Sequence, residues 1–94
     1  MRVRWLARAR ANLEAEAEHI ARDKPLAADR VLETIRTAVG GLERFPAMGR
    51  PGRVMGTREL IIPGTSYIVP YRIRGEEVQI LRVFHAARRW PTKF

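Results

Sequence analysis

The chain has 94 residues, with 18 Lys+Arg against 10 Asp+Glu, a formal net charge of +8 and no cysteine. That length makes one small domain, which buries about two-thirds of its unfolded surface. Disulfides and thiolate metal sites are excluded, and no apolar stretch approaches the ~20 residues of a membrane span.

The cations are almost all arginine; only Lys24 and Lys93 are lysine. Arginine offers a planar fork that matches phosphates and carboxylates. The charge is also uneven. Residues 1–45 hold nine cations and seven acids, whereas residues 46–94 hold nine cations and only Glu59, Glu76 and Glu77. The second half therefore carries a field that suits a polyanionic partner, either nucleic acid or an acidic protein segment. The start, "MRVRWL", leads straight into a charged helical pattern and has no secretory character. A cytoplasmic protein with no membrane association is expected.

In chain order, residues 1–6 alternate, with Val3 and Trp5 on one side and Arg2 and Arg4 on the other, so they predict a short strand. From Ala7 the period changes. Leu6, Ala9, Leu13, Ala17 and Ile20 form the stripe of an amphipathic helix over 7–22. Pro25 disfavours helix at Lys24 and suits the first turn of a second helix. That helix is predicted over 25–45, with Ala28, Val31, Leu32, Ile35, Val39, Leu42 and Phe45 as its stripe. Gly40 and Gly41 weaken its last turns by roughly 1 kcal/mol each.

"FPAMGRPGRVMG" (45–56) reads as a loop. Strands follow at 57–62, 67–73 and 77–85, with turns at "PGTS" and "RGEE". Pro70 cannot donate to a ladder and predicts a bulge or an unpaired position. Residues 86–94 form a short tail, mobile or folded back. The order β-α-α-β-β-β implies a two-layer α+β domain, an antiparallel α-hairpin packed on a small, mainly antiparallel sheet.

Taken in order, "AADRVLETI", "FPAMGRPG", "TRELIIPGTSYIVPYRI" and "VQILRVFHAARRWP" resemble the RelE/ParE superfamily of type II toxin–antitoxin toxins over nearly the whole length. The resemblance implies a bacterial growth inhibitor in a hetero-oligomer with a cognate antitoxin encoded beside it. RelE-like members cut messenger RNA on the ribosome; ParE-like members poison DNA gyrase and use no catalytic residues.

RNA cleavage without metal needs a proton acceptor, a proton donor and cations around the phosphate. Nuclease members typically carry an arginine early in the third strand, where this chain has Tyr67. Their preceding lysines are absent here; Arg50, Arg53 and Arg58 are the nearest cations. This departure favours the ParE-like side. On the nuclease alternative His85 is the acid or base, Arg58, Arg72, Arg88 and Arg89 clamp the phosphate, and Tyr67 or Tyr71 orients it. Against this, a histidine at a strand end commonly packs its ring and hydrogen-bonds the backbone. A third reading is a basic binding module without toxicity.

For a target or the antitoxin, the candidate contacts are Arg50, Arg53, Arg58, Tyr71, Arg72, Arg82, Arg88, Arg89 and Trp90. Arg58, Arg72 and Arg82 are expected to share one concave sheet face. Trp90 either stacks with a nucleic acid beside Arg88 and Arg89 or caps the core beside Trp5. His19 reads as a solvated helix residue. Two histidines without cysteine make a poor metal-ligand set, so no metal or cofactor is expected.

Overall fold

The computed structural model describes all 94 residues. Strand β1 (Arg2–Trp5) leads into helices α1 (Ala7–Ala21) and α2 (Pro25–Gly40) and a 3₁₀ turn at Gly41–Glu43. Then come β2 (Arg50–Pro51), β3 (Arg58–Ile61), β4 (Tyr67–Arg74), β5 (Glu77–Ile80) and β6 (Phe84–His85). They form one sheet in the order β1-β5-β4-β3-β2, with β6 also on β4. All pairs are antiparallel except β1 with β5. No helix is long and apolar enough to cross a membrane.

The helix hairpin covers one sheet face. Ala9 and Leu13 of α1 and Ile35 and Val39 of α2 meet Leu60, Tyr67, Val69, Tyr71, Val78 and Ile80 of the sheet in one buried cluster. Val3 and Trp5 pack against its edge. The link between the helices follows the chemistry of Pro25, which occupies the first turn of α2, where its missing N–H costs nothing. The second helix stops five residues short of the expected end. The chain tightens at Gly41, whose carbonyl accepts from both Arg44 and Phe45 N–H. Leu42 turns inward and Phe45 is left 60% exposed, so Phe45 is not part of the buried stripe.

Residues 77–85 are not one strand. Tyr71 faces Ile80 in one register, and Ile68 faces Phe84 in the next. Between these pairs, Val69 and Pro70 oppose three residues, Leu81, Arg82 and Val83. This is a bulge, and Pro70 explains it. The proline carbonyl accepts from Leu81 N–H at 3.0 Å, but the proline has no N–H to return. The extra residue switches the alternation. Val78 and Ile80 face the helices before the bulge; Val83 does so after it, and Phe84 turns to the opposite face. Asn12 of α1 closes the gap. Its Oδ1 accepts from the freed Val83 N–H at 3.2 Å and from Arg82 Nε at 2.8 Å.

The face away from the helices is covered only in part. The tail, residues 86–94, folds back onto it. Trp90 lies 4.8 Å from Phe84, Phe94 lies 6.2 Å from Phe84, and the Arg53 guanidinium sits 3.7 Å over the Trp90 ring. Trp90 therefore caps the outer face rather than the core beside Trp5. Arg53 is held in turn by Glu59, which is 2% exposed. The Glu59 carboxylate accepts from Arg50 Nη2 at 3.0 Å, Arg53 Nε at 3.1 Å and the Arg53 backbone N–H at 2.8 Å. Burial alone would raise its pKa. The Arg53 backbone and the two guanidiniums outweigh that and hold it below the ordinary carboxylate value.

Two stability outcomes follow from these anchors. Asn12→Ala leaves the buried Val83 N–H without an acceptor and should cost about 1–3 kcal/mol in urea unfolding. An unchanged midpoint would refute the role given to Asn12. Glu59→Gln removes the charge between two guanidiniums and should cost about 3 kcal/mol at neutral pH. Because the folded pKa lies below the unfolded value, this stabilisation is present above the unfolded pKa and lost as pH falls through the folded one. The gap between wild type and Glu59→Gln should therefore close in acid; a gap that stays constant with pH would contradict it.

Candidate functional site

Where α1 passes the far end of β4, a cleft of about 570 Å³ opens, lined by Asn12, Ala15, Glu16, His19, Arg22, Tyr67, His85 and Arg88. The bulge brings His85 here by turning the strand end toward the helix. Tyr67 is its partner across the ladder, and the rings meet edge to face at 5.6 Å. Three of the candidates read from the sequence, Tyr67, His85 and Arg88, thus come together.

Glu16 organises them. Its carboxylate accepts from the Tyr67 hydroxyl at 3.1 Å and pairs with Arg88 at 3.7 Å. Burial, then the charge and hydrogen bond of Glu16, push the Tyr67 phenol up to about 12, with Arg88 opposing. The Ala87 N–H donates to His85 Nδ1 at 3.2 Å. That bond engages Nδ1 as the acceptor, which leaves Nε2 to carry the ring N–H. The ring then offers the cleft a donor and not a lone pair. His19 is exposed at the rim.

The other candidates lie elsewhere: Arg58 and Arg72 border one hollow with Pro51 and Thr57 from opposite sides of the sheet, and Arg82 lies apart from both. Arg58 is on the helix side, donating to the Ala47 and Gly49 carbonyls at 3.2 and 2.8 Å. Tyr71 is fully buried beside it. Its hydroxyl donates to Pro46 O at 2.7 Å and accepts from Gly49 N–H at 2.8 Å, so it ties down the long loop and faces no partner. A side chain at Gly49 would strike this ring, its Cβ falling 2.6 Å from Tyr71 Cε1. Arg72 is on the outer face, bonded to Gln79 Oε1 at 2.7 Å. Arg82 is the bulge residue, aimed at α1. Burial and then the charges of Arg8 and Arg88 lower its pKa. Arg50 and Arg53 are committed to Glu59, and Arg89 is exposed on the tail.

The sequence reading missed Asn12 and Glu16. Both look like solvated helix residues. One signal was present: asparagine is a poor residue for a helix interior, and there it suggests a specific hydrogen-bonding duty.

The cleft is an electrostatic frame. Its carboxylate is neutralised, its phenol is a fixed donor, and the acceptor nitrogen of its histidine is engaged. The cations nearest in sequence to a phosphate-clamping role, Arg58 and Arg72, are on other surfaces. Burial also raises the Tyr71 pKa. Ultraviolet titration should therefore show little phenolate at pH 10, the ordinary tyrosine value. The neutral phenols stabilise the fold fully below pH 10, and for Tyr67 this contribution is lost as pH rises toward about 12. Glu16→Gln should bring the first phenolate to lower pH; tyrosines that ionise normally in the folded wild type would overturn the assignment.

The family model described as the ParE toxin of the type II toxin–antitoxin system, parDE, matches residues 3–90. Protein Y4kP of Sinorhizobium fredii is 48% identical over 90 residues, covering 96% of this chain and 93% of its own. Toxin RelE2 of Caulobacter vibrioides is 33% identical over 84 residues, covering 89% and 93%. Among solved structures, the chromosomal ParDE system from P. aeruginosa superposes with a TM-score of 0.84 at 31% identity, covering 90% of this chain and 95% of that one. The RelBE2 toxin–antitoxin complex from Mycobacterium tuberculosis gives 0.59 at 35%, covering 89% and 95%. With the α-hairpin on its sheet, the length matched and these identities in agreement, the chain belongs to the ParE toxin family of type II toxin–antitoxin systems.

Proposed function

We propose that this toxin inhibits growth by acting on DNA gyrase through surface contacts, and that a cognate antitoxin encoded beside it holds it inactive in a hetero-oligomer. The observation that carries the reading is the cleft. Tyr67 stands where nuclease members carry arginine, and it is bonded to Glu16. His85 spends its free lone pair on Ala87 N–H. A mechanism that used the Nδ1 lone pair of His85 as the base, or Tyr67 to orient a phosphate, would have to break these bonds first. The fit to the P. aeruginosa ParDE system, at a TM-score of 0.84 against 0.59 for RelBE2, supports the same side.

The antitoxin reading has its own physical support. Met48, Ile61 and Pro63 border an apolar hollow with Ala38 and Leu60 at the β3 edge, on a chain of net charge +8. An acidic segment with apolar side chains fits that combination. Binding to the folded state alone would also raise its melting temperature.

Purified toxin added to gyrase and plasmid should abolish supercoiling or leave cleaved DNA, while a message on programmed ribosomes stays intact. His85→Gln should remain as toxic as wild type when expressed. A cut message, with cutting lost in His85→Gln, would replace this reading with ribosome-dependent endonuclease action, the alternative that the resemblance to RelE-like members implies.

A further inference from the structure

The outer sheet face carries a second, ordered array that the cleft does not use. In register, β1, β5 and β4 line up Arg2 with Glu77 with Arg74, and Arg4 with Gln79 with Arg72. Alternation along each strand sends all six side chains to the face without helices, because Val3, Trp5, Val78, Ile80 and Tyr71 occupy the other face. Four arginines therefore stand at the corners of a rectangle. Two residues along a strand separate them by about 6.8 Å, and two strand spacings by about 9.6 Å.

The two central residues brace these corners. Glu77 pairs with Arg2 at 3.8 Å and Arg4 at 3.6 Å, and accepts from Gln79 Nε2 at 2.8 Å. Gln79 Oε1 in turn accepts from Arg72 Nε at 2.7 Å. The hydrogen bond from Gln79, then the charges of Arg4 and Arg2, lower the Glu77 pKa, so the brace stays ionised. Arg74 makes no ion pair. One carboxylate thus pairs with two of the four guanidiniums, a third is held by Gln79, and all four keep N–H donors for a ligand. The Arg2 and Arg4 side chains are 87% and 64% exposed, so those donors face water. Nothing in the core requires this clustering of like charge.

We infer that this face, built from Arg2, Arg4, Arg72 and Arg74 around Glu77 and Gln79, binds the phosphodiester backbone of a nucleic acid. An extended acidic peptide fits it less well. Peptide recognition takes its side-chain specificity from apolar pockets, and these two rows contain no apolar side chain. Phosphates need only fixed cations. A sugar–phosphate backbone presents phosphates in a regular row, which long arginine side chains at neighbouring positions can follow. The rows also contain no aromatic ring, so binding reads neither bases nor sequence. The inference is independent of the gyrase reading, since it concerns the toxin alone with nucleic acid.

The test is fluorescence anisotropy with two labelled probes of equal length, a DNA duplex and a single-stranded RNA, each over a series of salt concentrations. A chain of net charge +8 will attract any polyanion weakly, so the comparison is between two variants of equal charge loss. Arg4→Gln/Arg74→Gln removes two corners. Arg30→Gln/Arg44→Gln removes two exposed cations from α2 and the turn after it. Thermal melting establishes that both fold. The corner variant should bind more weakly at every salt concentration and lose about two from the slope of log affinity against log salt. The control should keep nearly the wild-type slope. The probe that wild type binds more tightly at equal salt identifies whether DNA or RNA is preferred. Equal losses in the two variants, or no binding of either probe at low salt, would overturn the inference.

Discussion

A missing amide hydrogen at Pro70 governs the arrangement of this molecule. The proline sits in the central strand, where a ladder bond is owed, and cannot supply one. The neighbouring chain responds by fitting three residues, Leu81 to Val83, against two. One extra residue reverses which side chains face the helices. His85 then reaches the cleft and meets Tyr67, while Phe84 turns outward and gives Trp90 and Phe94 a surface to fold onto. The backbone N–H released by the bulge is met by Asn12, which ties α1 to the sheet at the same point. Cleft, tail and helix docking therefore share one geometric cause.

Two buried polar anchors add to the apolar core in holding the second half together. Glu59 gathers Arg50 and Arg53, and Arg53 supports Trp90, so a single carboxylate connects β2, β3 and the tail. Tyr71 and Arg58 hold the loop before β2 through backbone groups of Pro46, Ala47 and Gly49. Such bonds are each worth only about 0.5–3 kcal/mol net, but leaving their buried partners unmet costs as much again. For a domain this small, that is a large share of the total.

These anchors also sort the arginines. Arg50, Arg53 and Arg58 are structural, Arg82 belongs to the bulge, and Arg88 balances Glu16. The array of Arg2, Arg4, Arg72 and Arg74 remains available at the surface. The cations thus divide between internal ties and an open face.

The sequence by itself determined the two amphipathic helices, most of the strands in chain order and, at Pro70, a bulge or an unpaired position. Each rests on local signals: apolar spacing for the helices, alternation for the strands and proline chemistry at 25 and 70. It also named Tyr67, His85 and Arg88 as candidates through the family resemblance, and the fold brings these three to one cleft. Tertiary structure alone decided which arginines meet. Arg58, Arg72 and Arg82 look equivalent along the chain, yet one faces backbone carbonyls, one a glutamine and one an asparagine. The face a strand residue takes depends on register, and a single inserted residue inverts it. Glu16 and Asn12 were equally hidden, since a helix stripe records what is apolar and says nothing of which polar residue will find a partner some 50 or 70 positions away.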